Sequence, residues 1–197
     1  MSHVVRPGLP DPAPEFVAQF RKATDRITLD PDNKRWLDQL YSNKINSALH
    51  KFCAVPELDS ALQSQYQTYF PHHTITCWAG IMRPADDQPA CLPPHVDRGR
   101  ALAINYILDT GGDCVSTLLY DRVMPVTAQS TNLQYGEVGV ISQHIFEPGW
   151  VAYGVNRCHS VERITGARLI LIIFLATAPA GYDLSDFQRD YPDLLDN

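Results

Sequence analysis

The chain has 197 residues, with 16 Lys and Arg against 22 Asp and Glu and a net charge of −6. A chain of this length can bury enough surface to fold without disulfides. An acidic chain with no basic run is a poor partner for duplex nucleic acid or an anionic membrane surface.

At 45% hydrophobic and 19% charged residues, the composition is that of a globular protein. Cys53, Cys77, Cys91, Cys114 and Cys158 are odd in number and form no CxxC. That argues against a disulfide framework and against a structural zinc site. The first residues, MSHVVRPGLPDPAP, contain no apolar run of signal-peptide type. The longest apolar stretch, 169–176, is too short to span a bilayer. These features lead to the expectation of a soluble, cytoplasmic protein.

In chain order, residues 1–12 are broken by Pro7, Pro10 and Pro12 and are expected to be flexible. Phe16, Phe20 and Ala23 recur at helical spacing. Asp32 is a plausible N-cap for a longer helix, in which Trp36, Leu37, Leu40, Tyr41, Ile45, Ala48, Leu49 and Phe52 share one face. A third helix is expected over Leu58–Tyr69, ending before Pro71. Together these form an expected helical layer over 13–70.

After Pro71 the texture becomes that of strands. Apolar and β-branched runs occur at 74–82, 101–108, 115–120, 137–142, 149–153, 157–161 and 168–176, punctuated by Gly111-Gly112, Pro148-Gly149, Gly154 and Gly166. Spacing of about ten residues points to an all-β sandwich or barrel. Residues 83–94 are expected to be a loop, with Asp86-Asp87 as part of a lid. The run at 168–176 lacks polar alternation and should be buried on both faces. The acidic segment 179–197 is expected to be a tail carrying a short surface helix. The chain thus reads as one domain: helices packed on a β core spanning 71–178.

His95-Val96-Asp97 places an imidazole and a carboxylate on one side of an extended strand. A lone HxD is a weak signal. Pro93-Pro94 strengthens it by holding the approach extended. His159 opens a later strand-like run and supplies a third donor, whereas Cys158 falls on the other face. Two His and one carboxylate with open positions opposite suit Fe(II) in a non-haem oxygenase. Arg168 begins the most apolar strand of the chain, and a buried arginine is costly unless it meets an anion. Its planar fork matches a carboxylate.

His95, Asp97, His159 and Arg168, in this order and strand context, resemble the 2-oxoglutarate/Fe(II)-dependent dioxygenases, especially their prolyl-hydroxylase-like branch. The resemblance covers about residues 74–176. PHVDRGRALAINYILDTGG looks like inner strands of that fold, and EPGWVAYGVNRCHSVERITGARLILIIFL looks like its closing strands. It implies a mainly β fold with N-terminal helices around a double-stranded β-helix, the jelly roll. It further implies Fe(II) held by His95, Asp97 and His159, and 2-oxoglutarate held through Arg168. The implied reaction consumes O2 and 2-oxoglutarate, releases succinate and CO2, and hydroxylates a substrate.

The chain departs from many relatives by placing Ile170 and Ile172 where a hydroxyl residue helps to bind the cosubstrate. Tyr106 is the candidate replacement, with Asn105 its rival. The two are adjacent in a strand and so face opposite ways. Arg157, Arg98 and Trp78 are candidate substrate contacts, with Arg100 beside Arg98 at the expected entrance and Trp150 a further aromatic candidate. The expected substrate is a small molecule, amino acid or peptide side chain. The oligomeric state is not legible. Two other readings remain open: a cupin-like metal protein of different chemistry, and a non-catalytic jelly-roll interaction module. Arg168 discriminates against a plain metal-binding cupin, which has no need of it.

Overall fold

A computed structural model describes residues 3–42, 44–127 and 131–195. Strand β1 (Val4–Val5) leads into helices α1 (Pro14–Thr24) and α2 (Pro31–Leu40). Strand β2 (Leu49–Ala54), helix α3 (Asp59–Tyr66) and strands β3 (Ile75–Arg83) and β4 (Ala90–Val96) follow. Next come β5 (Leu102–Thr110), β6 (Ser116–Val123), β7 (Thr131–Asn132) and β8 (Val140–Ile145). The last strands are β9 (Gly149–Gly154), β10 (Arg157–Ile164) and β11 (Arg168–Leu175), and helix α4 (Leu184–Asp190) closes the series.

Two antiparallel sheets form a double-stranded β-helix, with orders β1-β9-β5-β11-β3-β2 and β7-β4-β10-β6-β8. Helices α1, α3 and α4 cover the outer face of the six-stranded sheet. Phe16, Phe20, Leu62 and Tyr66 pack there with Ile75, Cys77, Ile104, Leu171 and Ile173. Between the sheets, Met82, Ile170 and Ile172 meet Leu92, Val161 and Ile164. The other inter-sheet cluster joins Ala103, Ile107, Val151 and Tyr153 to Leu119. In β5, β9 and β11, alternate residues therefore point to the helices or into the sandwich, as the pleat dictates. No residue of β11 is exposed.

Several expectations from the sequence are corrected. The helix expected to continue to Phe52 ends at Leu40, and Leu49–Ala54 is an edge strand paired with β3. The apolar positions fit either period, and sheet pairing decides. The loop expected over 83–94 is shorter, because β4 already begins at Ala90. Asp86 accepts from Asn46 Nδ2 (3.3 Å) rather than covering the sandwich.

The described part of segment 179–197, to residue 195, is docked rather than a free tail, with Tyr182, Phe187, Tyr191 and Leu194 buried in the helix-side core. Residues 4–10 are docked as well. Val4–Val5 pairs with β9, Leu9 is buried, and Trp150 Nε1 donates to the Pro10 carbonyl (2.9 Å). The proline carbonyl gives the buried indole its partner.

The β4–β10 pairing carries two register shifts. His159 faces His95, Val161 faces Leu92, and Ile164 faces Ala90. The first interval has an extra residue in β4, at Pro93-Pro94, and the second has one in β10, at Glu162-Arg163. Arg163 there adopts a positive φ of 60°, a left-handed conformation costing a non-glycine residue about 1–2 kcal/mol. Arg163→Gly is therefore expected to keep or raise the Tm, while the β-branched Arg163→Val lowers it. Thermal melts of the two variants check this.

Candidate metal and anion site

The shift at Pro93-Pro94 has a direct consequence. Leu92 faces the sandwich interior, and strict alternation would turn residue 95 outward. The extra residue turns His95 back inward, opposite His159 on β10. Asp97 follows just past the end of β4. The donor atoms of His95, Asp97 and His159 all lie within 4.8 Å of one another. Asp97 Oδ1 is 3.4 Å from His95 Nε2 and 3.8 Å from His159 Nε2.

Both imidazoles are oriented by their own strands. His95 Nδ1 contacts the Pro93 carbonyl at 2.8 Å, and His159 Nδ1 contacts the Arg157 carbonyl at 3.0 Å. A carbonyl only accepts, so each Nδ1 carries the proton and each Nε2 lone pair faces the site. Burial, reinforced by neighbouring His95, pushes His159 down to about 4 against an opposing pull from Asp97. Burial alone would raise the Asp97 carboxyl, but Arg100, His95 and His159 outweigh it and hold it well below the usual carboxylate range. Arg100 Nη2 donates to Asp97 Oδ2 at 2.8 Å. One carboxylate oxygen is thereby fixed, and the other points at the histidines. Two imidazoles that present Nε2 and one ionised carboxylate suit Fe(II) and leave the remaining positions open.

Arg168 lies on the inner face of β11, in the same row as Ile170 and Ile172, and is only 3% exposed. Its Nη1 donates to the Thr110 carbonyl at 2.9 Å, and its Nε is buried without a partner. It belongs to none of the ion pairs among the described residues. Gly111 passes beside it with φ +82°, and a Cβ there would come within 2.8 Å of Arg168 Cβ. Burial lowers the pKa of the guanidinium, and nearby Tyr153 partly restores it. A buried cation without a carboxylate carries a large desolvation cost, which an anionic ligand would offset.

Of the two adjacent β5 candidates, Asn105 points inward. Its Nδ2 donates to the Tyr153 hydroxyl at 3.4 Å, and its Oδ1 is buried and unpartnered. Tyr106 points the other way, into the helix-side cluster, with its ring edge-on to Trp150 at 5.1 Å. The expectation that Tyr106 binds the cosubstrate is thus corrected, because the helical layer claims that face of β5.

Tyr153, not among the residues singled out from the sequence, stands beside Asn105 and His159. Its hydroxyl accepts from Asn105, which leaves its own proton free. Burial and Asp97 keep that phenol protonated. The ring stands edge-on to His159 at 5.7 Å. The available signal was parity with Val151 on β9, readable only once the helix-covered face is known.

A cavity of about 880 Å³ opens beside His95 and Asp97, and Trp78 and Arg98 line it. Arg157 does not. Its Nη1 donates to the Tyr120 carbonyl at 3.0 Å, and its contribution is the backbone carbonyl that orients His159. Trp150 belongs to the helix-side core. Arg100, three residues past Asp97 across Gly99 (φ +73°), is the Asp97 partner that the sequence left at the entrance.

No family model and no curated protein matches this chain. Similar solved structures include a Pseudomonas putida prolyl-4-hydroxylase, at 15% identity and TM-score 0.45 over 86% of this chain and 89% of that one. A Burkholderia pseudomallei oxidoreductase of the 2OG-Fe(II) oxygenase family has 11% identity and TM-score 0.40 over 87% and 95%. The coconut allergen cocosin has 11% identity and TM-score 0.35 over 68% and 28%.

Two predictions follow from the geometry. The chain should bind one Co(II) or Mn(II), measured by calorimetry. Asp97→Ala should abolish this binding, and Arg100→Gln should weaken it by about 10–100-fold, the range for a lost orienting partner. In the metal-free protein, His159 binds its proton more weakly folded than unfolded. Stability should therefore be lost as pH falls from 6.5 towards 4. Denaturant melts across that window should show a shallower slope for His159→Gln.

Proposed function

We propose that this protein is a non-haem Fe(II)- and 2-oxoglutarate-dependent oxygenase. It would hydroxylate a small molecule, amino acid or peptide side chain, with formation of succinate and CO2. The observation that carries this reading is Arg168. A buried guanidinium with no carboxylate partner, facing the sandwich interior from the sheet opposite the one that holds the two histidines, calls for an anionic ligand. A metal-binding cupin without a carboxylate cosubstrate has no use for it.

The residues fit the implied groups. His95 Nε2, His159 Nε2 and Asp97 Oδ1 would hold Fe(II), and the orphaned Arg168 Nε fits a carboxylate. Bound iron supplies the activation of O2 that is coupled to oxidative decarboxylation of the 2-oxoacid. The chain's own groups do the rest. Arg168 would bind the distal carboxylate of 2-oxoglutarate, and Tyr153 would donate its phenol proton to the same anion. Asn105 would keep Tyr153 in place from below. Arg100 holds Asp97 ionised and fixed. Trp78 and Phe174, stacked at 5.3 Å, form an apolar wall of the cavity beside the cluster.

The test is anaerobic. Fe(II) and then 2-oxoglutarate are added to metal-free protein, and the weak visible charge-transfer band of a bidentate 2-oxoacid chelate is followed. The band is expected in wild type and should be lost in Asp97→Ala. In Arg168→Ala, saturation should require about tenfold or more 2-oxoglutarate, as for loss of a charged hydrogen-bond partner. Iron binding without a band in wild type would overturn the reading in favour of metal chemistry without this cosubstrate.

A further inference from the structure

The large cavity and the Arg168 site are separate. Arg168, Asn105 and Tyr153 do not line the cavity, whereas His95 and Asp97 do. The cavity is thus the open side of the metal cluster, and its walls describe an occupant.

One wall is aromatic. Trp78 and Phe174 point inward from β3 and β11 and stack at 26° between ring planes. Phe174 is the one residue of β11 that is not fully buried. Phe52 continues the wall from β2, and Trp36, 52% exposed, stands over it on α2. Elsewhere the protein fills the inner face of these strands with its own side chains. Here flat apolar surface is left uncovered, of the kind that receives a planar ring.

The charges are equally specific. Arg98 and Arg100 line the cavity against Asp30 and Asp97. Arg100 and Asp97 pair with each other at 2.8 Å, and Asp30 accepts from the backbone N–H of Asp32 as cap of α2. Arg98 enters no ion pair among the described residues. An unmatched cation therefore stands at this opening in a chain of net charge −6, and a bound divalent metal would add to it. Such a field draws in and orients an anion.

We infer that the cavity binds a planar aromatic acid, its ring against the Trp78–Phe174 wall and its carboxylate towards Arg98. The role of this acid as substrate rests on the oxygenase reading; its binding does not.

The probe is 2-naphthoate, titrated calorimetrically into the full-length chain without iron or 2-oxoglutarate. Uncharged 2-naphthalenemethanol and flexible octanoate serve as controls. Naphthoate is expected to bind more tightly than either control. The variant Arg98→Gln should weaken naphthoate by about threefold, in keeping with one exposed ion pair, and leave the alcohol unchanged. Trp78→Leu should weaken both aromatic probes. The exposed Trp36→Ala should do so to a smaller degree without affecting the fold.

Equal binding of naphthoate and octanoate would overturn the aromatic half of the inference. Equal binding of naphthoate and its alcohol would overturn the anionic half. Loss of naphthoate binding in Arg168→Gln, with no effect of Arg98→Gln, would overturn the placement. If naphthoate binds as expected but the anaerobic iron band never forms, the oxygenase reading fails and the aromatic-acid site stands.

Discussion

Neighbouring side chains on a strand point to opposite faces, so a strand pair in unbroken register cannot present both Leu92 and His95 to the same interior. The extra residue at Pro93-Pro94 removes this conflict. Proline suits the position because it has no N–H to lose from the ladder and favours an extended predecessor. The Pro93 carbonyl, freed from pairing by the same irregularity, becomes the acceptor that fixes His95 Nδ1. One backbone offset thus sets both where this imidazole points and which nitrogen it presents. On the partner strand, the Arg157 carbonyl does the same for His159. The second offset, at Arg163, returns β10 to a phase in which Ile164 faces the core.

Around this offset the interior is divided by chemistry. Ile170 and Ile172 pack with Val161 and Leu92, while Arg168, one alternation earlier on β11, stays polar and unmatched. The protein tolerates this cost because the surrounding strands are heavily packed. β11 is central in its sheet, paired on both sides by β3 and β5. A rigid apolar frame can hold a buried guanidinium that a looser one would let escape to solvent.

Much of this was legible in the sequence, and the limits have a physical cause. His95 with Asp97, and Arg168 at the head of an apolar run, are local signals: two-residue spacing and a charge out of place. The rhythm of short strands and turns pointed to an all-β sandwich or barrel, and the family resemblance carried by His95, Asp97, His159 and Arg168 implied the jelly roll. What could not be read was which face of a strand would be covered. Tyr106 and Asn105 differ only in parity, and parity has meaning only after the helical layer is placed on one side of β5. Tyr153 was overlooked for the same reason. β2 was hidden because Ile45, Ala48, Leu49 and Phe52 satisfy a helical period, and only its pairing with β3 overrides that. Arg100 was visible but looked like a solvated neighbour until the turn at Gly99 brought it back onto Asp97.

The two ends of the described chain meet. Pro7 bridges to Leu195, and the Gly8 N–H donates to the Leu194 carbonyl at 2.6 Å. Val4–Val5 completes a sheet edge against β9, some 150 residues away in sequence. The Pro7 and Gly8 contacts close loops almost as long as the protein and the β1–β9 pairing one of about three quarters of it, and the entropy of that closure is paid before the hydrogen bonds form. Most of the sheet pairing is likewise between distant segments, as in β3 with β11 and β4 with β10. Chains of such high contact order fold slowly. The clasp of the two ends should therefore form late, after the sandwich has brought β9 and α4 into place. A nascent or refolding molecule would spend that interval with the edge of β9 and the apolar face under α4 uncovered, which is when it is most exposed to misassociation.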